Sequence, residues 1–177
     1  MPTDPHDVLT VRPALPADVR RIGSLVTPYA ADRILLARER VGYYEAVQEF
    51  VVAERAAGAV AGSEVVACGA LHVMWEDLAE VRTLAVDPSC RRRGVGHLVL
   101  DALLERARAL GIAHVFCLTF EVDFFAAHGF REIEGTPVSA DVYAELLRSR
   151  DDGVAEFLDL ARVKPNTLGN TRMLVDL

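Results

Sequence analysis

The chain is poor in several things, and each shortage excludes a class of function. Only three of its 177 residues are cysteine, at 68, 90 and 117, with no CxxC pair to suggest zinc or a redox couple. We read Cys68 and Cys117 as buried small apolar residues and Cys90 as an exposed thiol in a loop. Positive charge is in deficit, with 19 Lys and Arg against 26 Asp and Glu and a net charge of −7. Such a chain lacks the basic footprint that draws proteins onto phosphate backbones, so nucleic acid is not an expected partner. No window approaches about 18 uninterrupted apolar residues, so no membrane partner is expected. The opening MPTDPHDVLTVRP carries acids and prolines where a secretory signal carries a basic start and an apolar run. A cytoplasmic location is the expectation.

Several chemical signatures are also missing. No Gly-Lys pair exists for a P-loop, no GxSxG for a serine nucleophile, and Val99 stands where a GxGxxG fingerprint needs its third glycine. His72, His97, His114 and His128 show no metal-ligand spacing, so no metal is expected. No repeat, low-complexity tract or linker interrupts the chain. With 51% apolar and 25% charged residues, it has the material for one globular domain, read over 8–177.

The pattern of elements is mixed. Residues 8–13 read as a first strand, and Pro16-Ala17-Asp18 opens a helix with Val19, Ile22, Val26 and Tyr29 at helical spacing. Tyr43 to Phe50 has helical spacing, followed by VVAER as strand. Gly58 to Ser63 is a turn into the strand EVVACGALHVM, and Glu76-Asp77 is a hairpin turn into AEVRTLAV. Alternation in that strand places Glu80, Arg82, Leu84 and Val86 on one face, and Asp87-Pro88 ends it. Gly94 to Leu110 is a helix closed by Gly111. AHVFCLTF is a strand, VDFFAAH a short helix, GFREI a turn into strand, Ser139 to Leu146 a capped helix, and TRMLVDL a closing strand. The spacing predicts an α/β (α+β) fold: a mixed, mostly antiparallel sheet flanked by helices, with one strand–helix–strand crossover.

The sharpest local signal is LAVDPSCRRRGVGHLVL, in which a strand ends, a basic glycine-bearing turn follows and a long helix begins. Free backbone N–H groups and the helix dipole converge there, which makes an anion site. Gly94 and Gly96 allow close approach of a ligand, and Arg91, Arg92 and Arg93 add charge.

The segment Arg91 to Gly96, R-x-x-G-x-G between strand and helix, resembles the acetyl-CoA pyrophosphate loop of the GNAT acetyltransferase superfamily. The later FFAAHGF resembles its second CoA-contacting segment. The segments ILLARER, YYEAVQEF, GALHV, EVRTLAVDP, EIEGTPV and VKPNTLGNTRMLVDL further resemble the short single-domain N-acetylglutamate synthases of actinobacteria, from about residue 10 to 177. The amino-acid-kinase-like domain of longer enzymes of this activity has no counterpart in the sequence.

The resemblance implies a GNAT fold with a central strand–loop–helix acetyl-CoA site, and direct transfer of acetyl from acetyl-CoA to the α-amino group of L-glutamate. It implies that the backbone of Leu84, Ala85 and Val86 holds the pantetheine arm, with the Leu84 amide polarising the thioester. It implies that Arg91, Arg92, Arg93, Gly94, Val95, Gly96 and His97 hold the pyrophosphate. An ammonium must lose a proton before it attacks, and Glu80 is the candidate base, with mere pairing to Arg82 as the competing reading. Phe125 stands where many of these enzymes carry a general-acid tyrosine, and Phe124 and Phe125 pack either on pantetheine or in the core. Arg38, Arg40, Arg82, Lys164, Asn170, Thr171 and Arg172 are the candidate acceptor-binding residues, with Arg38 and Arg172 preferred for the two carboxylates. Another small amine such as glutamine, or a non-catalytic acyl-CoA sensor, stays open as an alternative. An exposed strand edge or C-terminal segment leaves a homodimer open as well.

Overall fold

A computed structural model of the chain describes residues 8–36, 38–56, 63–166 and 168–177. The expected turn at 58–62 and the Lys164 side chain lie outside the described part. The described residues fall into two compact units, those up to 71 with 83–106 and those of 72–82 with the rest from 107 on.

In the first unit, β1 (Leu9–Pro13), β2 (Phe50–Ala56) and β3 (Ser63–Val73, which ends in the second unit) form antiparallel ladders, β1 on β2 and β2 on β3. The apolar stripe expected in the first helix is present: α1 (Val19–Ala31) buries Val19, Ile22, Leu25 and Val26. These pack with Tyr43, Phe50, Val52, Cys68 and Ala85 into one core cluster. Each such aliphatic or Phe side chain removed from water contributes roughly 1.5–3 kcal/mol before the cost of ordering it. The helix read over Tyr43 to Phe50 is displaced. α2 spans Arg40–Glu45, a 3-10 turn covers Val47–Glu49, and Phe50 is already the first residue of β2. Burial of Phe50 in the cluster, rather than local spacing, decides its conformation.

β4 (Leu78–Val86) follows a tight turn in which Met74 and Trp75 donate to the Leu78 carbonyl at 2.9 and 3.0 Å, as the Glu76-Asp77 turn predicted. The uninterrupted alternation expected along β4 does not occur. Thr83 takes a φ of 58°, a left-handed conformation that a β-branched residue rarely adopts, and the pleat breaks there. α3 (Val95–Ala109) ends as predicted. Gly111 has a φ of 78°, its amide bonds to Arg108 O, and the Ile112 amide bonds to Ala107 O.

The second unit is built on β5 (His114–Thr119), β6 (Arg131–Glu132) and β7 (Thr171–Asp176). β5 runs parallel to β4 through Leu78 to Glu80 and antiparallel to β7, which also pairs with β6. The parallel step is the expected crossover, and among the described residues the strand order is β1-β2-β3-β4-β5-β7-β6. Around these strands lie α4 (Val122–Ala126), α5 (Ala140–Leu146) and α6 (Asp152–Phe157). Leu78, Phe116, Leu146, Val154, Phe157 and Leu158 form its core, with the Phe116 and Phe157 rings edge-on at 5.1 Å. Cys68 and Cys117 are buried as expected, and burial pushes the Cys68 thiol up to about 12. Cys90 is buried too, against the expectation of an exposed thiol, with Sγ 3.5 Å from an Arg55 terminal nitrogen.

Gly69 on β3 is a steric requirement of the first unit. A Cβ there would meet Val99 Cγ1 at 2.8 Å and Leu103 Cδ1 at 3.0 Å, both on α3. Replacing Gly69 by Val therefore overpacks a filled core and is expected to cost about 1–3 kcal/mol, read as a lower midpoint in urea unfolding.

Candidate active site

In the first unit the junction between β4 and α3 has the geometry of an anion site. Asp87 accepts from the Ser89 amide at 2.9 Å and the Ser89 hydroxyl at 2.7 Å, and these bonds, joined by Arg21 at 2.8 Å, hold its carboxyl below the ordinary range. That cap anchors a 3-10 turn, Pro88–Cys90, from which the chain passes through Arg91 to Gly94 into α3. Arg92 and Gly94 are both left-handed, with φ of 60° and 80°. Nothing lies within 4 Å of a Cβ built on Gly94, so conformation and not packing calls for glycine here. Arg91, Arg92, Arg93 and His97 are exposed, while the Val95 side chain is buried. Only its backbone could contribute to a ligand site. Exposed guanidinium groups beside the first turn of a 15-residue helix suit the phosphates of a CoA-type ligand.

One group in this half escaped the sequence reading, the Tyr29 hydroxyl. Tyr29, counted there as part of the α1 stripe, is only half-buried, and its hydroxyl lies 2.7 Å from the Val86 carbonyl and 3.3 Å from the Val86 amide. The Val86 peptide, expected to face pantetheine, is therefore already bonded to a side chain. Arg91 Nε donates to the same hydroxyl at 3.3 Å, and its guanidinium lies 4.9 Å from the Tyr29 ring centroid. Leu84 is partly buried and packs near Gly69, and Ala85 belongs to the core. Arg38 is half-buried and Arg40 exposed at the start of α2.

The second unit holds an acidic cluster. Glu80 is 3% exposed, and its Oε2 has no hydrogen-bond partner. Arg82, two residues on, donates to both oxygens of Asp151 at 3.0 and 3.1 Å and reaches Glu80 Oε2 only at 3.8 Å. Both readings of Glu80 thus meet the same geometry: the pair with Arg82 exists, but Asp151 takes the hydrogen bonds. Burial pushes the Glu80 carboxyl up to about 7, opposed by Arg82, reinforced by Glu156 and Asp151, and opposed again by His72. Desolvation also acts on Asp151, yet Arg82, His72 and the Val154 amide outweigh it and keep that carboxyl below its usual range.

Two of the carboxyls around Glu80, Asp151 and Glu156, belong to the cap and body of α6, which the sequence reading passed over. Its signal was available: Asp151 is an N-cap accepting from the Val154 amide at 3.1 Å, and Val154, Phe157 and Leu158 recur at helical spacing. At the other end of α6, Arg172 donates to Glu156 O at 2.7 Å and Phe157 O at 2.5 Å, and also to Gly135 O at 3.0 Å. Both of its terminal nitrogens are spent on main-chain carbonyls, so Arg172 serves the fold of this unit instead of standing open as a bidentate carboxylate clamp. Its Nε is buried without a hydrogen-bond partner, and its guanidinium lies 5.1 Å from the Phe116 ring centroid. Thr171 and Asn170 are half-buried beside it at the start of β7. Phe125 is buried with its ring edge-on to Phe124 and Phe130 at 5.2 and 5.1 Å, while Phe124 is half-buried. Among the described residues, no group of three or more His, Cys, Asp or Glu side chains could hold a metal ion, and no helix is long and apolar enough to cross a membrane.

Known proteins resemble this chain along most of its length. The family model described as Acetyltransferase (GNAT) family matches residues 27–132, the segment that carries β4, the arginine loop and α3. The chain is 57% identical over 167 residues to an amino-acid acetyltransferase of Mycobacterium tuberculosis, covering 94% of each chain. It is 36% identical over 132 residues to an amino-acid acetyltransferase of Pseudomonas syringae pv. syringae, covering 74% of this chain but only 28% of that protein. A solved Mycobacterium tuberculosis structure in complex with CoA and NLQ superposes with a TM-score of 0.89 at 57% identity, covering 95% of this chain and 99% of the other. The N-acetylglutamate synthase of Neisseria gonorrhoeae, solved with coenzyme A and N-acetyl-glutamate, shares the fold with a TM-score of 0.74 at 22% identity, over 96% of this chain and 35% of that one. With the strand, the left-handed arginine loop and the helix all inside the matched segment, and a relative this similar along nearly its whole length, the chain belongs to the GNAT family of acetyltransferases.

Proposed function

We propose that the protein transfers the acetyl group of acetyl-CoA to the α-amino group of an amino acid, with L-glutamate as the acceptor. The observation that carries this reading is Glu80, a buried carboxyl with an unpartnered oxygen and a proton affinity near neutrality, four residues before the strand backbone assigned to the thioester. The name of the Mycobacterium tuberculosis relative supports an amino-acid acceptor, and the CoA in the similar solved structure supports the acyl donor.

The acceptor arrives as an ammonium. The Glu80 carboxylate removes one proton, directly or through a water. The freed nitrogen lone pair then attacks the thioester carbonyl carbon and forms a tetrahedral oxyanion, which the Leu84 amide stabilises. Collapse breaks the C–S bond and CoA departs as a thiolate, while the nitrogen gives up its second proton to water and the thiolate takes one back from water, leaving a neutral amide and CoA thiol. With Phe125 buried and bearing no hydroxyl, the donor tyrosine of many GNAT enzymes is missing, and a thiol of reference pKa about 8.5 is a leaving group that tolerates this. Arg91 to His97 bind the pyrophosphate. Arg38 and Arg40 are the guanidinium groups assigned to the acceptor carboxylates. Arg82 holds Asp151 and tempers Glu80.

A thiol-release assay with acetyl-CoA and a panel of amino acids, with mass spectrometry of the product, should give the fastest turnover with glutamate. Preference for glutamine or another amine overturns the acceptor, and tight acetyl-CoA binding without release overturns the enzyme reading. Replacing Glu80 by Gln should lower kcat at neutral pH by about 10²–10⁴-fold and abolish the rise of kcat/KM through pH 7. The same variant has a stability signature. The folded carboxyl keeps its proton to about pH 7, while an unfolded one releases it near 4.5. The stability tied to neutral Glu80 is therefore complete below pH 4.5 and lost as pH rises through 7. At pH 8 Glu80→Gln should be the more stable protein by on the order of 3 kcal/mol, and the gap should close toward pH 5. For the loop, Gly94→Val puts a β-branched residue at φ 80° and should weaken acetyl-CoA binding about tenfold in calorimetry with the fold intact.

A further inference from the structure

Gly153 is the second residue of α6, and its backbone is not left-handed, so nothing in its conformation calls for glycine. Alanine is the better helix former at such a position. The reason for glycine is spatial. A Cβ built there would lie 2.2 Å from Glu80 Oε2, 3.1 Å from Glu80 Cδ and 3.0 Å from Asp151 Oδ1. By contrast, Gly94, Gly111 and Gly135 are left-handed and have open space around them. The Glu80 carboxylate therefore occupies the room that a side chain at 153 would fill. Asp151 fixes the start of α6 by accepting from the Val154 amide and by binding Arg82, so this wall cannot recede without giving up those bonds.

We infer that Gly153 is a positioning residue for Glu80: its missing side chain is the slot that seats the carboxylate against the first turn of α6 and thereby places the proton-accepting oxygen. The inference rests on Glu80 being the base. Several groups face that carboxylate from the elements packed against it: Arg82 on β4, His72 on β3, Asp151 and Glu156 on α6, and Cys117 on β5, whose thiol the Glu80 charge helps to push up. Any shift of the carboxylate changes its distance to all five. Seating thus sets both the reach of the base and the pH at which it works.

Gly153→Ala tests this in the full-length protein. It should lower kcat by about 10- to 100-fold and move the acidic limb of the pH profile, while KM for acetyl-CoA stays within about twofold. A merely structural glycine would not move that limb. The second measurement is a melting-temperature cycle with Glu80→Ala. Gly153→Ala should lower Tm in the wild-type background, or prevent folding outright, and should restore or raise Tm once Glu80 is truncated. An unchanged pH limb, or an equal Tm loss in both backgrounds, would overturn the inference. The Tm cycle needs no turnover, so it reads the seating of Glu80 even where Glu80→Gln shows that Glu80 is not the base.

Discussion

Glu80 is an acid sealed away from water, and much of the second unit can be understood as the arrangement that makes this tolerable. An isolated buried carboxylate is costly, and proteins usually answer by pairing it tightly with a cation. A tight pair would pull the carboxyl low and leave it a poor proton acceptor near neutrality. Here the neighbouring cation is drawn off. Arg82 gives two hydrogen bonds to Asp151 and stands 3.8 Å from Glu80, close enough to temper the carboxyl but too far to bond it. Desolvation then dominates, and the group titrates near neutrality.

Three glycines illustrate different constraints on one chain. Gly94 supplies a left-handed backbone in open space, where the demand is conformational. Gly69 lets α3 approach β3, and Gly153 leaves room for a carboxylate, so at those two positions the demand is for volume. Thr83 carries the opposite message. A β-branched residue held at φ 58° is strained, and it stands between Glu80 and the strand backbone assigned to the thioester. The left-handed residue ends the alternation that otherwise would have run from Glu80 to Val86.

Much of the fold was legible in local pattern. The α1 stripe, the hairpin turn at Glu76-Asp77, the Asp87-Pro88 stop, the helix closed by Gly111 and the strands β5 and β7 were all read from period, caps and breakers. The arginine loop was legible for the same reason, since a strand, a glycine-bearing turn and a helix are contiguous in sequence. α6 left only a short signal, an Asp151 cap and three apolar residues at helical spacing within six residues, too brief a stretch for a period to stand out. Phe50 was misassigned because tertiary burial overrode its helical spacing, and Cys90 because a basic neighbourhood suggested exposure.

The sequence by itself determined the GNAT pattern, the arginine loop proposed as the anion site and the candidacy of Glu80, since each depends on residues adjacent in the chain or on one strand. Only the tertiary structure decided what those residues meet. Arg82 and Asp151 are 69 positions apart, Glu80 and Gly153 are brought into contact from different elements, Arg172 is spent on the carbonyls of Glu156 and Phe157, and Tyr29 reaches the Val86 peptide. A proton affinity is set by burial and by the charges facing a group, and both are sums over neighbours that chain order does not specify.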